Sequence, residues 1–406
     1  MALEMSEAQP IHRVMQVHTR YRQAGGEDQV VAAERLLLEG AGVEVEQVLF
    51  DNAELRESRS LRGDLSLGLS AIWSRSATGR VAAAIARHRP QVMHVHNTFA
   101  AASPSIYAAA TAADVPVVQS LHNYRFVCPV ATAFRDGHPC TDCVGRRFPW
   151  PGIVHSCVRG SRAQSFVAAT TLGVHRALGT FKRGIDVYLA GTAFQRKLMI
   201  DGGLPAAQIR VVPNFLEPDP GAGREPRAGV LYVGRLAEEK GIATLLQAAE
   251  SVPGTVSVVG DGPLAPLVRE AAAAGTVKYL GPLWADDMRM QLRGAAALAM
   301  PSIWFEGFPM IVIEAFAAGT PVIASRIGAL ADIVEDGVTG LLVDPGDAGQ
   351  LGERFAWATK HPGELAALGA NARQQYEARF RGQTHLAELL EVYAASIARH
   401  GSRADA

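Results

Sequence analysis

Residues 303–325 read IWFEGFPMIVIEAFAAGTPVIAS, and this stretch predicts a loop, a helix and a buried strand in succession. Gly307 and Pro309 favour the loop, the helix is expected to begin at about Met310, and residues 322–324 form a short β-branched run. Another apolar run, residues 296–300, precedes the loop. Strand, helix and strand in this order indicate a βαβ unit, whose strands lie parallel in one sheet.

The same alternation extends over most of the chain. Short, nearly continuous apolar runs are typical of strands that are buried on both faces of a parallel sheet. These runs are residues 14–17, 43–49, 92–95, 115–121 and 187–190 in the first half, and residues 230–233, 256–259, 277–280, 296–300 and 322–324 in the second. Between them lie helix-forming stretches such as 29–39, 79–87, 244–251 and 264–274.

Because the series occurs twice, the fold class is expected to be α/β, with two facing, Rossmann-like, doubly wound parallel sheets. Prolines and glycines at 205–226 place the join there, so we predict one domain at 1–208 and another at 209–382. The first contains a cysteine-rich insertion at about 124–160. Residues 383–399 carry a helical apolar stripe, and we assign 383–406 to the first domain as well.

Composition excludes several classes of protein. The 406 residues include 39 Lys and Arg against 40 Asp and Glu, and this balance disfavours a protein that binds nucleic acid. A hydrophobic content of 48% allows a large core and excludes wholesale disorder. No 18-residue apolar run predicts a membrane-spanning helix. The opening MALEMSEAQPIHR is not the pattern of a secretory signal, so we expect a cytoplasmic protein.

All four cysteines fall within one short segment, at Cys128, Cys140, Cys143 and Cys157. A C-x2-C pair is a common half of a tetrahedral zinc site, and a second pair at loop distance can complete it. We therefore expect a structural zinc. An iron–sulfur cluster and free thiols are the alternatives, and two nearby histidines are spare ligands: His138 and His155.

Ligands of doubly wound sheets bind beyond the carboxyl ends of the strands. Gly25 and Gly26 follow the first strand and precede a helix, where backbone amides can approach an anion or simply form a turn. After the strand at 230–233, Arg235 and Lys240 flank a helix start and can hold a diphosphate. They could equally be solvated surface cations.

Two glutamates, Glu306 and Glu314, lie eight residues apart in the opening stretch. Glu314 is predicted to lie inside the helix, among Ile, Val, Ala and Phe. A carboxylate in such surroundings needs a partner, which sugar or ribose hydroxyls or backbone amides could supply.

The motifs together resemble the family-4 retaining glycosyltransferases of the GT-B fold. The resemblance runs from about residue 11 to 395 and includes GGE, VVPNF, VGRLAEEKG, VVGDGPL, EGFPMIVIEAFAAGTPVIAS and IGALADIVEDGVTGLLVDPGD. The pair of glutamates with seven residues between them carries the most specificity. The resemblance also implies that the C-terminal helix crosses back to the first domain.

The family implies a role for each matching residue. Arg235 and Lys240 match the cations on the donor diphosphate, and Glu314 matches the carboxylate on the ribose. Glu306 and His122 match groups beside the donor sugar, so His122, Glu306, Arg235 and Lys240 are expected to be catalytic. The remaining residues of the expected donor site are Gly25, Gly26, Gly234, Gly260, Gly262, Gly307, Phe308, Pro309, Met310 and Ile311.

The expected reaction moves a sugar, with retention, from a UDP-sugar or GDP-sugar to a hydroxyl acceptor. The acceptor is a saccharide or a lipid-linked molecule, in bacterial cell-surface polysaccharide or glycolipid synthesis. No D-x-D motif predicts a metal on the diphosphate, so catalysis is expected to need no cofactor. The alternatives are a nucleotide-sugar epimerase of the same fold and a non-catalytic nucleotide-binding zinc scaffold.

The stretch from 51 to 89 contains seven arginines against four acids, together with Leu65, Leu67, Leu69, Ile72 and Trp73. Basic and aromatic residues together suit peripheral contact with the inner membrane surface. The alternative is an ordinary helix whose arginines lie in water.

Overall fold

A computed structural model describes residues 10–20, 25–52, 61–223 and 226–404. Residues 53–60 of the predicted basic stretch, and the side chains at 61–66, which include Leu65, lie outside this description.

The first half forms a parallel sheet of six strands in the order β2-β1-β3-β4-β7-β8. The bounds are β1 Arg13–Arg20, β2 Glu44–Asp51, β3 Val92–Val95, β4 Val117–Leu121, β7 Val187–Ala190 and β8 Ile209–Val211, with a separate hairpin of β5 Phe134–Arg135 and β6 His138–Pro139.

The second half forms another parallel six-stranded sheet in the order β11-β10-β9-β12-β13-β14. The bounds are β9 Val230–Val233, β10 Val256–Val259, β11 Val277–Gly281, β12 Ala297–Met300, β13 Val322–Ser325 and β14 Gly340–Val343. The predicted pair of doubly wound parallel sheets is therefore confirmed.

Helices cover the sheets and connect their strands. Those of the first half are α1 Gly26–Gly40, α2 Leu61–Ile72, α3 Arg75–His88, α4 Tyr107–Ala112, α5 Pro151–Val154, α6 Arg162–Ala177, α7 Thr180–Arg183 and α8 Ala193–Asp201. Those of the second are α9 Ile242–Ala249, α10 Ala265–Ala273, α11 Ala285–Gly294, α12 Met310–Ala318, α13 Gly328–Ile333, α14 Ala348–Lys360, α15 Pro362–Arg379 and α16 Gly382–Ala404. Short 3-10 turns lie at Pro104–Ile106, Ala206–Gln208 and Glu238–Lys240.

Both faces of each sheet are buried, as the continuous apolar runs predicted. In β4, Val117 packs into one core and Val118 into the core on the opposite face. In β9, Tyr232 and Leu231 separate in the same way. Burying a side chain of this size contributes about 1.5–3 kcal/mol, so continuous apolar strands stabilise two layers at once.

The C-terminal helix α16 returns to the first domain, as predicted. Leu389, Val392 and Tyr393 of α16 pack with Val14 and Val118 of the first sheet. Just before α16, the chain is tied to the segment that joins the two domains, because the Leu216 amide donates to the Phe380 carbonyl at 2.9 Å.

The domain boundary predicted at 208/209 remains a prediction. The last strand of the first sheet, β8, comes directly after it and pairs with β7. Between β4 and α6 the chain is largely irregular and carries the β5–β6 hairpin, in the region of the predicted cysteine-rich insertion. Within the described ranges, no helix is long and apolar enough to cross a membrane.

Candidate active site in the cleft between the sheets

The loop before α12 brings the two domains into contact. A Cβ on Gly307 would lie only 2.5 Å from the His122 carbonyl oxygen, so only glycine allows this approach. The Tyr124 hydroxyl donates to the Glu306 carbonyl at 2.7 Å. Since His122 follows β4 and Glu306 follows β12, the carboxyl ends of both sheets face one cleft.

Helix α12 begins at Met310, as the sequence predicted, with Pro309 as its N-cap. Its N-terminus faces the glycine loop of the other domain, because a Cβ on Gly26 would lie 3.6 Å from the Met310 side chain. Gly25 is the N-cap of α1, and its amide donates to the Asp28 carboxylate at 2.9 Å. The N-termini of α1 and α12 therefore meet across the cleft, and such termini favour anions.

Lys240 and Glu306 form an ion pair, although Lys240 was predicted to contact the donor diphosphate and Glu306 the donor sugar. Lys240 Nζ lies 2.8 Å from Glu306 Oε1, and Ser302 donates to the same oxygen at 2.7 Å. Burial acts to raise the pKa of Glu306, but the charge of Lys240 and these hydrogen bonds outweigh it, so the pKa lies below its ordinary value. Glu306 is thus a buried, ionised carboxylate at the edge of the cleft.

Arg235 is more exposed than Lys240. Its guanidinium pairs with Glu239 four residues later, and its side chain is 62% exposed. Both cations lie around the short turn Glu238–Lys240, which precedes α9. If Arg235 holds the diphosphate as predicted, its guanidinium must leave the Glu239 carboxylate and bind phosphate instead.

Close backbone approach explains the glycines of the VGDG motif. A Cβ on Gly260 would lie 1.9 Å from Gly234 O, and one on Gly262 would lie 2.6 Å from Leu236 O. The φ angles of Gly260 and Gly262, +139° and +154°, also disfavour other residues. These glycines let the loop after β10 pack on the loop that carries Arg235.

Glu314 lies within α12 and keeps one oxygen without a hydrogen-bond partner. Burial raises the pKa of Glu314, while the charge of Arg289 opposes that shift. An unpartnered buried carboxylate oxygen is costly unless a ligand completes it. This is the situation that the sequence predicted for the residue. Its contact with ribose remains a prediction.

Phe308 packs across the cleft, since a Cβ on Gly191 would lie 2.8 Å from its ring. Gly191 follows β7 in the first domain. Ile311, at the second position of α12, packs against the core beside the helix. The loop at 307–311 is therefore held by both domains.

His122 belongs to a buried network that the sequence analysis missed. His122 Nε2 lies 3.0 Å from His96 Nδ1, and the two rings stack with centroids 5.3 Å apart. His96 Nε2 lies 3.3 Å from Glu34 Oε1, and His94 Nδ1 lies 2.9 Å from the same oxygen. A carboxylate on α1 is thus connected to His122 through His96.

Signals for this network were present in the sequence. His94 and His96 are two apart, so a strand places both on one face. Glu34 lies four residues after Val30 and four before Leu38, on the buried face of α1. An acid at such a position needs buried partners.

Burial and charge set the protonation states of the network. Burial acts to raise the pKa of Glu34, but His94 and His96 and the hydrogen bonds from His385 and His94 outweigh it, so the pKa lies well below its ordinary value. Burial and the nearby His94 lower the pKa of His96 to about 4. Burial likewise holds the pKa of His122 well below its usual range. Burial therefore favours the neutral forms of His96 and His122, whereas the neighbouring histidines favour the ionised form of Glu34.

The spacing of Glu34 and His94 fits direct contact between a carboxylate and an imidazole rather than a shared metal ion. Two ligands bound to an ion at 2.0–2.1 Å stay about 3.3 Å apart in tetrahedral geometry. His94 Nδ1 and Glu34 Oε1 are closer, at 2.9 Å. Gln16 Nε2 also donates to this Glu34 oxygen, at 2.8 Å.

The four cysteines surround one small cavity, which Arg135 also lines. Cys128 and Cys143 are buried, and all four are free thiols. Burial raises the pKa of the Cys143 thiol to about 12. Among the described residues, only Glu34, His94 and His96 form a set with ligand atoms all within 4.8 Å of one another, so the sulfurs are more widely spaced. His138 and His155 do not line the cavity.

A larger cavity of about 600 Å³, including its open mouth, adjoins His122. Its polar wall includes His96, Asn97 and Arg125, and aromatic and aliphatic side chains form the rest, among them Phe126 and Leu172. It lies in the first domain, beside the loops that reach Glu306. An apolar cavity with a few polar groups is the usual form of a small-molecule site.

Comparisons with known proteins agree with this architecture. The family model "Glycosyl transferase 4-like domain" matches residues 12–214, half of the chain, and "Glycosyl transferases group 1" matches residues 219–375. The chain belongs to the glycosyltransferase 4-like family. It is therefore a glycosyltransferase, and the predicted family and enzyme class are confirmed.

Curated relatives include glycogen synthase of Mycobacterium tuberculosis H37Rv, 29% identical over 330 residues, which are 78% of this chain and 70% of that protein. D-inositol 3-phosphate glycosyltransferase 2 of Catenulispora acidiphila is 34% identical over 195 residues, 43% of this chain and 45% of that protein.

Solved structures share the fold over nearly the whole length. Anabaena Alr3699/HepE in complex with UDP has a TM-score of 0.66 at 18% identity, covering 94% of this chain and 99% of that one. Sucrose-phosphate synthase from Thermosynechococcus elongatus has a TM-score of 0.68 at 19% identity, covering 94% and 98%. The GT-B fold predicted from the sequence is confirmed.

Proposed function

We propose that this glycosyltransferase moves a sugar from a UDP-sugar or GDP-sugar to a hydroxyl acceptor, with retention and without a catalytic metal. The observation that carries the proposal is the meeting of Gly26 and Met310 across the cleft, since a Cβ on Gly26 would lie 3.6 Å from Met310. Two helix N-termini that face one another favour an anion, and a diphosphate is the anion that the proposed donor carries. The UDP complex of the structural neighbour Alr3699/HepE supports a nucleotide donor.

The leaving group sets what the cleft must do. Breaking the glycosidic bond puts negative charge on the nucleotide diphosphate, and preorganised donors that stabilise this charge lower the barrier. Lys240, Arg235 and the amides of the α12 N-terminus supply such donors without a metal ion. Glu314, with its unpartnered oxygen, is then the acceptor for the ribose hydroxyls.

The proposed acceptor is a saccharide or a lipid-linked saccharide of a cell-surface polymer or glycolipid. The cavity beside His122 supports an acceptor with an apolar part, because Phe126 and Leu172 line it.

We also propose that the enzyme works in the cytoplasm and contacts the anionic membrane surface through α2 and α6. These helices pack together. Leu69 on α2 and Phe166 on α6 are 59% and 55% exposed, and Trp73, directly after α2, is 42% exposed. Between Asp142 and Asp186 the sequence contains seven Lys and Arg and no acid. Basic and exposed apolar residues together favour a headgroup layer. Sedimentation with phosphatidylglycerol vesicles, but not with phosphatidylcholine vesicles, is the expected result.

The cysteine cavity is proposed to hold one structural zinc. Four thiols around one space provide the right number and type of ligand, although the sulfurs must move closer to bind. Because burial holds the pKa of Cys128 and Cys157 above the ordinary value, binding must release protons and is expected to strengthen as pH rises.

The reaction is tested by incubating the enzyme with UDP-sugars and GDP-sugars, first alone and then with saccharide acceptors. The proposal predicts release of the nucleoside diphosphate and a product with the donor's anomeric configuration. Conversion of the donor sugar without loss of the nucleotide would instead identify an epimerase. Binding without either reaction would identify a non-catalytic nucleotide-binding protein.

A further inference from the structure

The cavity beside His122 carries the positive charge of Arg125 and no carboxylate. Among the described residues that line it, Arg125 is the one Lys or Arg side chain, and none is Asp or Glu. A charge in largely apolar surroundings acts strongly on a ligand, because little water screens it. The partners of Arg125 therefore decide which ligands the cavity accepts.

Other polar side chains of the wall are engaged within the protein. Gln119 Nε2 donates to two backbone carbonyls, at 3.2 and 2.7 Å. The Asn97 amide donates to one backbone carbonyl at 3.1 Å and accepts from one backbone amide at 3.0 Å. The Thr171 hydroxyl donates to a backbone carbonyl at 2.9 Å. These side chains shape the cavity and have few hydrogen bonds left for a ligand.

Arg125 keeps most of its hydrogen-bond donors for a ligand. Its Nη1 donates to the Pro129 carbonyl at 3.2 Å, and its guanidinium carbon lies 3.8 Å from the centroid of the Phe99 ring. Nε is buried and has no hydrogen-bond partner in the part of the chain that the structure describes. A guanidinium carries five N–H donors on three nitrogens, so one carbonyl leaves most of them unused. The ring covers one face of the guanidinium, and oxyanions bind at its edge.

Arg125 also lacks a strong counter-ion, since no carboxylate of the described residues forms an ion pair with it. Glu27 is a carboxyl group on which its charge acts. Burial and the neighbouring Asp28 charge raise the pKa of Glu27 to about 8, and the charge of Arg125 only partly opposes that rise. A carboxyl group with so high a pKa is a weak counter-ion. Because a buried cation without a counter-ion is costly, the arrangement favours a ligand that brings the negative charge.

We propose that Arg125 binds an anionic group of the acceptor, a carboxylate or a phosphate, and thereby selects an acidic saccharide over a neutral one. This assignment rests on the proposed function, because it gives the cavity to the acceptor. The anion meets the edge of the guanidinium, while Phe126 and Leu172 of the apolar wall pack against the rest of the acceptor. Arg125 determines specificity and takes no part in breaking the glycosidic bond.

Anion binding is measured without a donor, by ¹H–¹⁵N NMR of the arginine Nε–H groups, with Arg125 assigned by loss of its signal in Arg125→Lys. Glucuronic acid, glucose 6-phosphate and glucose are added separately at constant ionic strength. The Arg125 signal is expected to shift with at least one of the two anions and to stay in place with glucose. The two anions also distinguish a carboxylate from a phosphate. No shift with either anion overturns the proposal. Because no turnover is needed, this outcome is independent of the proposed reaction.

Arg80→Gln is the matched control. The Arg80 guanidinium also lies over a phenylalanine ring, 4.7 Å from the centroid of Phe50, and donates to the Leu49 carbonyl at 2.7 Å. Arg80 does not line the cavity. In Arg80→Gln the Arg125 signal should therefore respond to the anions as in the wild type. A response that is lost in Arg80→Gln would indicate a general effect on the domain and contradict a site at Arg125.

Kinetics provide the second readout, with hexose acceptors compared with the corresponding uronic acids and 6-phosphates. Arg125→Gln should lower kcat/KM for the anionic acceptor about 10- to 150-fold, chiefly through KM, and change it within about twofold for the neutral one. Arg125→Lys keeps the charge but loses the planar fork, so it should retain part of the preference. Equal losses for both acceptors in Arg125→Gln, or a wild-type preference for the neutral acceptor, contradicts the proposal. Absence of turnover with any donor would instead reject the proposed function and leave the NMR result as it stands.

Discussion

Replacing Lys240 with methionine tests the proposed diphosphate site most sharply, because Lys240 is assigned to the ligand and also pairs with Glu306. A charge-assisted hydrogen bond contributes about 1.5–3 kcal/mol, so losing it should weaken UDP or GDP binding about 10- to 150-fold. The nucleoside makes no diphosphate contact, and its affinity should stay within about twofold. Calorimetric titration of both ligands measures the difference.

The same substitution leaves Glu306 without its cation. The Glu306 side chain is 6% exposed, and leaving a buried charge unpaired costs about 3–5 kcal/mol. The lower value applies here, because the Lys240 side chain is 21% exposed. At 2–4 °C per kcal/mol for a domain of this size, Tm should fall by about 6–12 °C.

A double variant separates the two effects. Lys240→Met with Glu306→Gln removes the unpaired charge, so Tm should recover while diphosphate affinity stays low. Lys197→Met is the matched control, because Lys197 pairs with Asp201 but is 76% exposed. Equal losses of affinity for nucleotide and nucleoside, or recovered diphosphate binding in the double variant, would refute the assignment of Lys240 to phosphate.

Four further outcomes are expected. Glu314→Gln should raise the KM for the donor while changing kcat little, and wild-type kinetics for this variant would remove Glu314 from the ribose site. EDTA should leave turnover intact, and collapse of turnover with the fold preserved would show a catalytic metal. Metal analysis should give about one zinc per chain, and Cys140→Ser should increase proteolysis of the cysteine-rich insertion. A native protein that contains no metal and whose four thiols are all alkylated would contradict zinc binding. Burial and the neighbouring Asp28 charge raise the pKa of Glu27 to about 8, so the folded state retains a proton that the unfolded chain loses near pH 4.5. The free energy of unfolding should therefore fall as pH rises from about 4.5 to 8 in the wild type but not in Glu27→Gln. Urea denaturation across that pH range measures the difference.

The sequence predicted the fold well because buried parallel strands are continuous apolar runs. Val92–Val95 and Val187–Ala190 are strands with the predicted bounds. The strands Ile209–Val211 and Gly340–Val343 were missed, since the first is short and lies in the proline-rich join and the second is flanked by turn residues. Local pattern cannot assign such segments, because their pairing partners are distant in sequence.

The motifs located the site only in part. Glycines and cations that match a family motif could be named in advance, but the pairing of Lys240 with Glu306 depends on how β9 and β12 lie side by side. The Glu34–His96–His122 network joins three elements, and the sequence signals at Glu34, His94 and His96 did not show that these elements meet. Protonation states followed only when the distances were known, because burial and neighbouring charges set each pKa.

The most direct test of the central claim is a time-resolved NMR assay of the purified enzyme with UDP-sugars and GDP-sugars. The account predicts that at least one donor releases its nucleoside diphosphate and that the first-formed product keeps the donor's anomeric configuration. It also predicts that Lys240→Met slows the release at least about tenfold while the nucleoside still binds. Full retention of activity in Lys240→Met, inversion at the anomeric carbon, or no cleavage of any nucleotide sugar by the folded protein would contradict it.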